Sequence, residues 1–202
     1  TANPSNFQSA LNAAQPGDVI TLADGIYTGL YTLNASGTPS NPIVIRGNHR
    51  DRVIFDGQNC TVCVQLWINS TGDVQVERIT FRNSARAIRL HATNGSNFVL
   101  RRIRTTNVPT PIFSLWVDQV TIADSIFECG MRWPQIQPSD AGASFLLGMP
   151  IYLGGSGHVI AHNRIMGSAN SILFETDGSR GHDVYGNDIQ DVYDNAFEPD
   201  TA

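Results

Sequence analysis

Residues 158–165 read HVIAHNRI and residues 182–189 read HDVYGNDI, one pattern of apolar and polar positions repeated after 24 residues. Three earlier segments follow the same pattern: VQVERITF at 74–81, FVLRRIRT at 98–105 and VTIADSIF at 120–127. The inward positions are Val74, Val76, Ile79 and Phe81 in the first copy, and His182, Val184, Asn187 and Ile189 in the last. Successive copies start 24, 22, 38 and 24 residues apart. Side chains alternate across a strand, so each copy reads as two short strands joined by a tight polar bend. A third strand is expected after each pair, at Ala87–Leu90, Ile112–Trp116, Pro150–Leu153, Ser171–Asp177 and Asn195–Asp200. Three short strands per turn at a near-constant period describe a parallel β-solenoid, each coil resting on the one before. The predicted fold is therefore all-β, a right-handed parallel β-helix with a short N-terminal capping helix.

The helix is expected over Phe7 to Ala14, capped by Ser5 or Asn6, with Phe7, Ala10, Leu11 and Ala14 on one apolar face. It plugs a first coil that would otherwise expose its interior. The domain reading is one unit over 1–202, with a cap at 1–18 and coils from 19 to 202. No cap is evident after Asp194–Ala202, so the C-terminal edge is expected to be covered by further chain or by a partner. Asn163 and Asn187 fall at one bend of successive coils and are expected to form a ladder. His158 and His182 share another repeat position, where a ladder role is favoured over catalysis.

The 202 residues are 41% hydrophobic and carry a net charge of −5, enough apolar surface for a core and too acidic for a nucleic-acid footprint. All 13 basic residues are Arg, so no lysine base or Schiff base is available. No apolar run approaches the roughly 20 residues of a membrane span. Cys60 and Cys63 admit a local disulfide, a redox pair or half a zinc site, and Cys129 stands alone. The first residue is Thr1 and sequons occur at Asn34, Asn59, Asn69 and Asn94, which points to a secreted, cell-surface or periplasmic protein.

The segments PGDVITLADGIYTG (16–29), GTPSNPIVIRG (37–47) and VERITFRNS (76–84) resemble the pectate-lyase-like β-helix superfamily. So do VTIADSIF (120–127), VIAHNRI (159–165) and DVYGNDI (183–189). The resemblance implies a carbohydrate-active protein whose substrate groove runs along one sheet, here the strand after the variable loop. It spans lyases, hydrolases, epimerases and non-catalytic adhesins.

On that strand, Phe-Glu-Thr-Asp at 174–177 and Phe-Glu-Pro-Asp at 197–200 stand 23 positions apart. With Phe174 and Phe197 inward, Glu175, Asp177, Glu198 and Asp200 point outward. At a coil spacing of about 4.8 Å, Glu175 is then expected beside Glu198 and Asp177 beside Asp200. One outward column reads His91, Trp116, Gly154, Glu175, Glu198. A second reads Thr93, Asp118, Ser156, Asp177, Asp200, and a third holds Arg89, Ser114, Tyr152 and Leu173. Four carboxylates in a square repel, so such a site either binds a cation, with Ca²⁺ the natural ion, or holds raised pKa values. A plain solvated acidic face, with Asp177-Gly178 as a turn, is the other reading.

The expected function is degradation of an extracellular polysaccharide in an acidic groove, by hydrolysis or by elimination; the alternative is a non-catalytic carbohydrate-binding or adhesin solenoid. Glu175, Asp177, Glu198 and Asp200 are the catalytic and Ca²⁺-ligating candidates, and no other cofactor is expected. A hydrolase would use one carboxyl as acid and another as base or nucleophile. A lyase would need Arg180, Arg132, Arg89, His91 or His182 as base. The lack of lysine argues against the chondroitinase B and alginate-lyase pattern, which pairs Lys with Arg. An insertion at about 129–146 is expected to overhang the groove and bring Arg132 and Trp133 to the sugar. Arg89, His91, Trp116, Asp118, Tyr152 and Arg180 complete the substrate-binding candidates, and Trp67 is read as core.

Overall fold

The computed structural model describes residues 1–91, 94–130, 148–175 and 179–200, with no account of the side chains of 199 and 200. Its strands form parallel faces that wind around one core. The first face is a seven-stranded sheet of Val19–Leu22, Ile43–Gly47, Gly72–Glu77, Gly95–Arg101, Val117–Ala123, Val159–Ala161 and Asp183–Tyr185. Each strand pairs in parallel with the next coil's copy, so Ile20, Ile45, Val76, Leu100, Ile122, Ile160 and Val184 stack in one column. All but Val184 are buried. Each fully buried aliphatic side chain of this kind contributes about 1.5–3 kcal/mol. A second column, Tyr27, Phe55, Phe81, Thr105, Phe127, Ile165 and Ile189, lines the next face. Tyr27 stacks on Phe55 with ring centroids 4.9 Å apart.

The third face runs from Tyr31–Leu33 through the ends of Val53–Ile68 and Thr80–Leu90 to Ile112–Ser114, Ile151–Leu153, Ile172–Glu175 and Phe197–Asp200. The strands 53–68 and 80–90 each turn a corner and serve two faces. The register between them shifts around Cys60, where Cys60 and Cys63 form a disulfide. This settles the open reading of that pair. Cys129 is free and buried, and burial pushes its thiol well above the ordinary range.

The N-terminal helix covers Phe7–Asn12, shorter than expected, and buries Phe7 and Leu11 against the first coil. The Phe7 ring lies 4.8 Å from that of Tyr31 and 5.7 Å from that of Phe55. Asn6 stands at the N-cap, but its side chain makes no cap bond; it accepts the Asn3 N–H instead. Docking comes from Gln8, whose amide accepts the Thr32 N–H and donates to the Thr32 carbonyl, both at 2.9 Å. One side chain thus satisfies both backbone groups on an otherwise open edge.

Polar ladders replace apolar columns at the bends. Asn163 Oδ1 accepts the Ser125 N–H, and Asn187 Oδ1 accepts the Asn163 N–H, each at 3.0 Å. The expected asparagine ladder is present. The histidines form another. His158 Nδ1 accepts the Val120 N–H at 3.2 Å, and His182 Nδ1 accepts the His158 N–H at 3.3 Å. Their rings stack at 4.9 Å, and His182 stacks on Phe174 at 3.9 Å. Burial, and then the neighbouring His182, pushes the His158 imidazole down from 6.5 to about 4; burial also lowers His182.

This sets a pH dependence. An unfolded imidazole takes its proton near 6.5, while folded His158 resists protonation until about 4. Between those values the unfolded state binds more protons, so stability rises with pH. The contribution is whole above 6.5, is lost as pH falls towards 4, and amounts to about 3 kcal/mol. Urea unfolding across this window is expected to show that slope in wild type. In His158→Asn, which keeps an acceptor for Val120, the slope is expected to flatten. An unchanged slope would place the acid sensitivity elsewhere.

One carboxylate in a charged column is also buried. Glu77 is only 2% exposed and lies between Arg46 and Arg101 of the adjacent coils. It accepts hydrogen bonds from both guanidiniums, that of Arg101 at 2.8 Å. Burial alone would raise its pKa, but the two arginines together hold it below the usual carboxylate range.

Candidate functional site

Three side chains of the third face's outer surface form an aromatic and basic row. The register places Trp67, Arg89, Phe113, Tyr152, Leu173 and Glu198 in one outward column. Arg89 lies with its guanidinium carbon 4.9 Å from the Trp67 ring and 5.6 Å from the Phe113 ring. Arg86 approaches the same Phe113 ring at 4.9 Å. Burial, and behind it the charge of Arg89, lowers the Arg86 guanidinium from its ordinary value. Two cations over one ring repel each other.

Arg89 pairs with no carboxylate among the described residues, and its Nε is buried without a hydrogen-bond partner. The indole Nε1 of Trp67 is likewise unpartnered. Arg89, His91, Phe113, Leu115 and Trp116 border a crevice of about 10 Å³, the size of a single oxygen-bearing group. At its mouth Trp116 is 59% exposed. His91 lies edge-on to Trp67, with ring centroids 5.7 Å apart.

Beyond Phe113 the outer surface is apolar. Phe113, Met149, Tyr152 and Leu173 form a buried cluster, with Phe113 stacked on Tyr152 at 5.0 Å. Tyr152 thus sits in the expected column but is covered. Ser114, expected to point outward, points inward between Leu90 and Leu153. Large apolar residues on both sides of Ser114, at 112, 113, 115 and 116, hide which parity faces the core, and Phe113 takes the outward place. The same one-residue slip puts Leu115 in the row expected for Trp116. Trp67, read as core, is outward and half-buried. Its flanking Leu66 and Ile68 are both fully buried, and that alternation was the available signal.

The acidic end is arranged differently from the 23-residue expectation. Glu175 pairs with Asp200, and Glu198 pairs with Leu173, an offset of 25. A shift of two preserves the outward parity but separates Glu175 from Glu198. Asp177, Thr93, Arg132 and Trp133 lie outside the described residues, as do the side chain of Asp200 and most of the insertion. Asp118 belongs to the first face, where its Oδ1 accepts the Ser156 N–H at 2.7 Å. Arg180 is exposed, and its carbonyl accepts the Gly157 N–H. Among the described residues no three His, Cys, Asp or Glu side chains gather into a metal-binding group. Two of the four carboxylates expected to hold Ca²⁺, Asp177 and the side chain of Asp200, are not among the described residues, and the face as described is basic and aromatic before it is acidic. No helix among them is long and apolar enough to cross a membrane.

A family model described as Chondroitinase B matches residues 1–110. No curated protein matches the chain. Among solved structures, a mannuronic acid specific polysaccharide family 6 lyase from human gut microbiota is 16% identical, with a TM-score of 0.58. The match covers 97% of this chain and 52% of that one, so the chain spans about half that lyase's length. An alginate lyase from Paenibacillus sp. str. FPU-7 is also 16% identical, with 97% and 98% covered and a TM-score of 0.37. Pectate lyase Pel9A is 16% identical, with 90% and 64% covered and a TM-score of 0.36. At these identities the likeness is one of fold. The lack of lysine, read as arguing against the chondroitinase B pattern, does not take the chain out of the family match. The stacking columns that define the coils point inward and are indifferent to the identity of an outward base.

Proposed function

The chain belongs to the chondroitinase B family, and we propose from that membership that its third face binds an acidic polysaccharide outside the cell and supports its cleavage by elimination. The observation that carries the reading is the Arg89 crevice. A cation held between two aromatic rings, with a buried donor and no carboxylate partner, suits a uronate carboxylate. The crevice has room for one water-sized group such as a carboxylate oxygen, so the sugar ring stays outside, against the exposed Trp116.

Pairing with Arg89 neutralises the carboxylate and makes the adjacent C5 proton more acidic. His91 lies two residues along the same outer surface, roughly 7 Å away. On this reading it accepts that proton; the C4–O bond breaks, its electron pair leaves with the oxygen, which is then protonated, and a C4–C5 double bond forms. Glu175, opposite Asp200, lies further along the row of His91 and is suited to hydrogen-bonding sugar hydroxyls. Elimination is preferred to hydrolysis because of the membership in the chondroitinase B family and because an arginine and an imidazole, not two carboxyls, border the crevice.

The test incubates the protein with polymannuronate, polygalacturonate, chondroitin sulfate and a neutral glucan, following reducing ends and ultraviolet absorbance of unsaturated ends. Both signals are expected with at least one acidic polymer and neither with the glucan. Reducing ends without unsaturation would mean hydrolysis. Binding without either signal would mean a binding solenoid.

A further inference from the structure

We propose a second polyanion-binding site on the corner between the first and second faces, away from the Arg89 crevice, that holds an acidic polysaccharide without acting on it. An open notch of about 580 Å³ lies there between the loop 48–52 and two turn residues, Arg78 and Arg102. The chain is acidic overall, yet four arginines border this notch: Arg50, Arg52, Arg78 and Arg102.

Their neighbours decide which charges are available. Arg50 is paired with Asp51 at 3.1 Å and Arg52 reaches Asp24 at 3.6 Å. Just inside, Arg46 and Arg101 are committed to the buried Glu77. Arg78 and Arg102 have no carboxylate partner among the described residues, and both are exposed.

The backbone fixes this pair. Both residues occupy the left-handed region, with φ of 60° and 54°. Glu77 pairs with Arg101, so Arg78 and Arg102 sit at equivalent bends of adjacent coils, and the Arg78 N–H donates to the Arg101 carbonyl. A side chain at Gly47 would meet the Arg78 carbonyl at 1.9 Å, so the preceding coil also packs tightly against this bend. The two side chains therefore leave a rigid corner one coil apart, about 4.8 Å. That is the scale on which an extended chain of uronates presents successive carboxylates. No aromatic side chain other than His49 borders the notch. Base stacking, on which single-stranded nucleic acids rely, therefore has little support there, which favours a polysaccharide.

The site does not require the third face to be catalytic, and its test is run in an Arg89→Ala background to remove that face's contribution. Polymannuronate binding by the full chain is measured by calorimetry at low and at physiological salt. Arg78→Asn with Arg102→Asn keeps residues that tolerate positive φ and removes both charges. The double change is expected to weaken low-salt binding about tenfold and to flatten its salt dependence, with the thermal midpoint unchanged. Unaltered affinity in the double variant would overturn the proposal. So would a single-stranded oligodeoxynucleotide that binds as tightly as polymannuronate.

Discussion

Arg89→Ala is expected to weaken binding of a uronate polymer about 100-fold at low salt, equivalent to about 2.7 kcal/mol. The size follows from losing a charge-assisted pair in a site shielded by the rings of Trp67 and Phe113. Arg89→Lys keeps the charge but loses the planar group that stacks between rings, so an intermediate loss of about tenfold is expected. Isothermal titration with polymannuronate measures both. The fold should tolerate the change, because the inward columns are untouched, and unfolding should move by no more than about 1 kcal/mol. If Arg89→Ala binds as wild type does, the crevice is not the uronate site. If Arg89→Lys and Arg89→Ala fall equally, the ring-stacked geometry matters more than charge.

The largest loss of stability is expected from Arg46→Ala combined with Arg101→Ala, about 3–5 kcal/mol at neutral pH. Glu77 is 2% exposed and would lose both of its partners. Glu77→Gln should cost less, since Arg46 and Arg101 are themselves 39% and 40% exposed and can turn to water. The pH dependence separates this from simple loss of packing. In wild type the folded carboxyl titrates below its ordinary value of 4.5, so its stabilisation is present above that value and is lost as pH falls. In the double variant burial stands alone and raises the carboxyl. The destabilisation is then relieved as pH falls through the raised value and Glu77 takes a proton. Urea unfolding at pH 7 and pH 5 should therefore show a smaller penalty at pH 5. An equal penalty at both would assign the loss to packing.

The repeat made the inward half of this protein legible. Val76, Leu100, Ile122 and Ile160 stack in the order their spacing implies, because a coil cannot close unless period-two apolar positions face its interior. The asparagine and histidine ladders were readable for the same reason: polar residues at a buried repeat position must bond the next coil's backbone. At the acidic end the register pairs Glu175 with Asp200 and Glu198 with Leu173, which keeps the two-residue alternation along the strand.

Which outward residue stands beside which was a matter of tertiary structure. The loop before the third face varies in length, so the count between equivalent strands is 25 at the last coil pair, not 23. Two residues of slip cost the core nothing, yet they replace a Glu175–Glu198 pair by Glu175–Asp200. Where a strand is apolar on both sides, as at Ile112–Trp116, even parity was hidden until Phe113 and Ser114 were seen to take opposite faces. Trp67 and Arg89 lie 22 positions apart, and only the bulged register around the Cys60–Cys63 disulfide brings them into one row. Sequence alone determined the solenoid and its core, because burial repeats with the coil. The chemistry of the outer face was decided by register, which depends on loop lengths and bulges that no periodicity records.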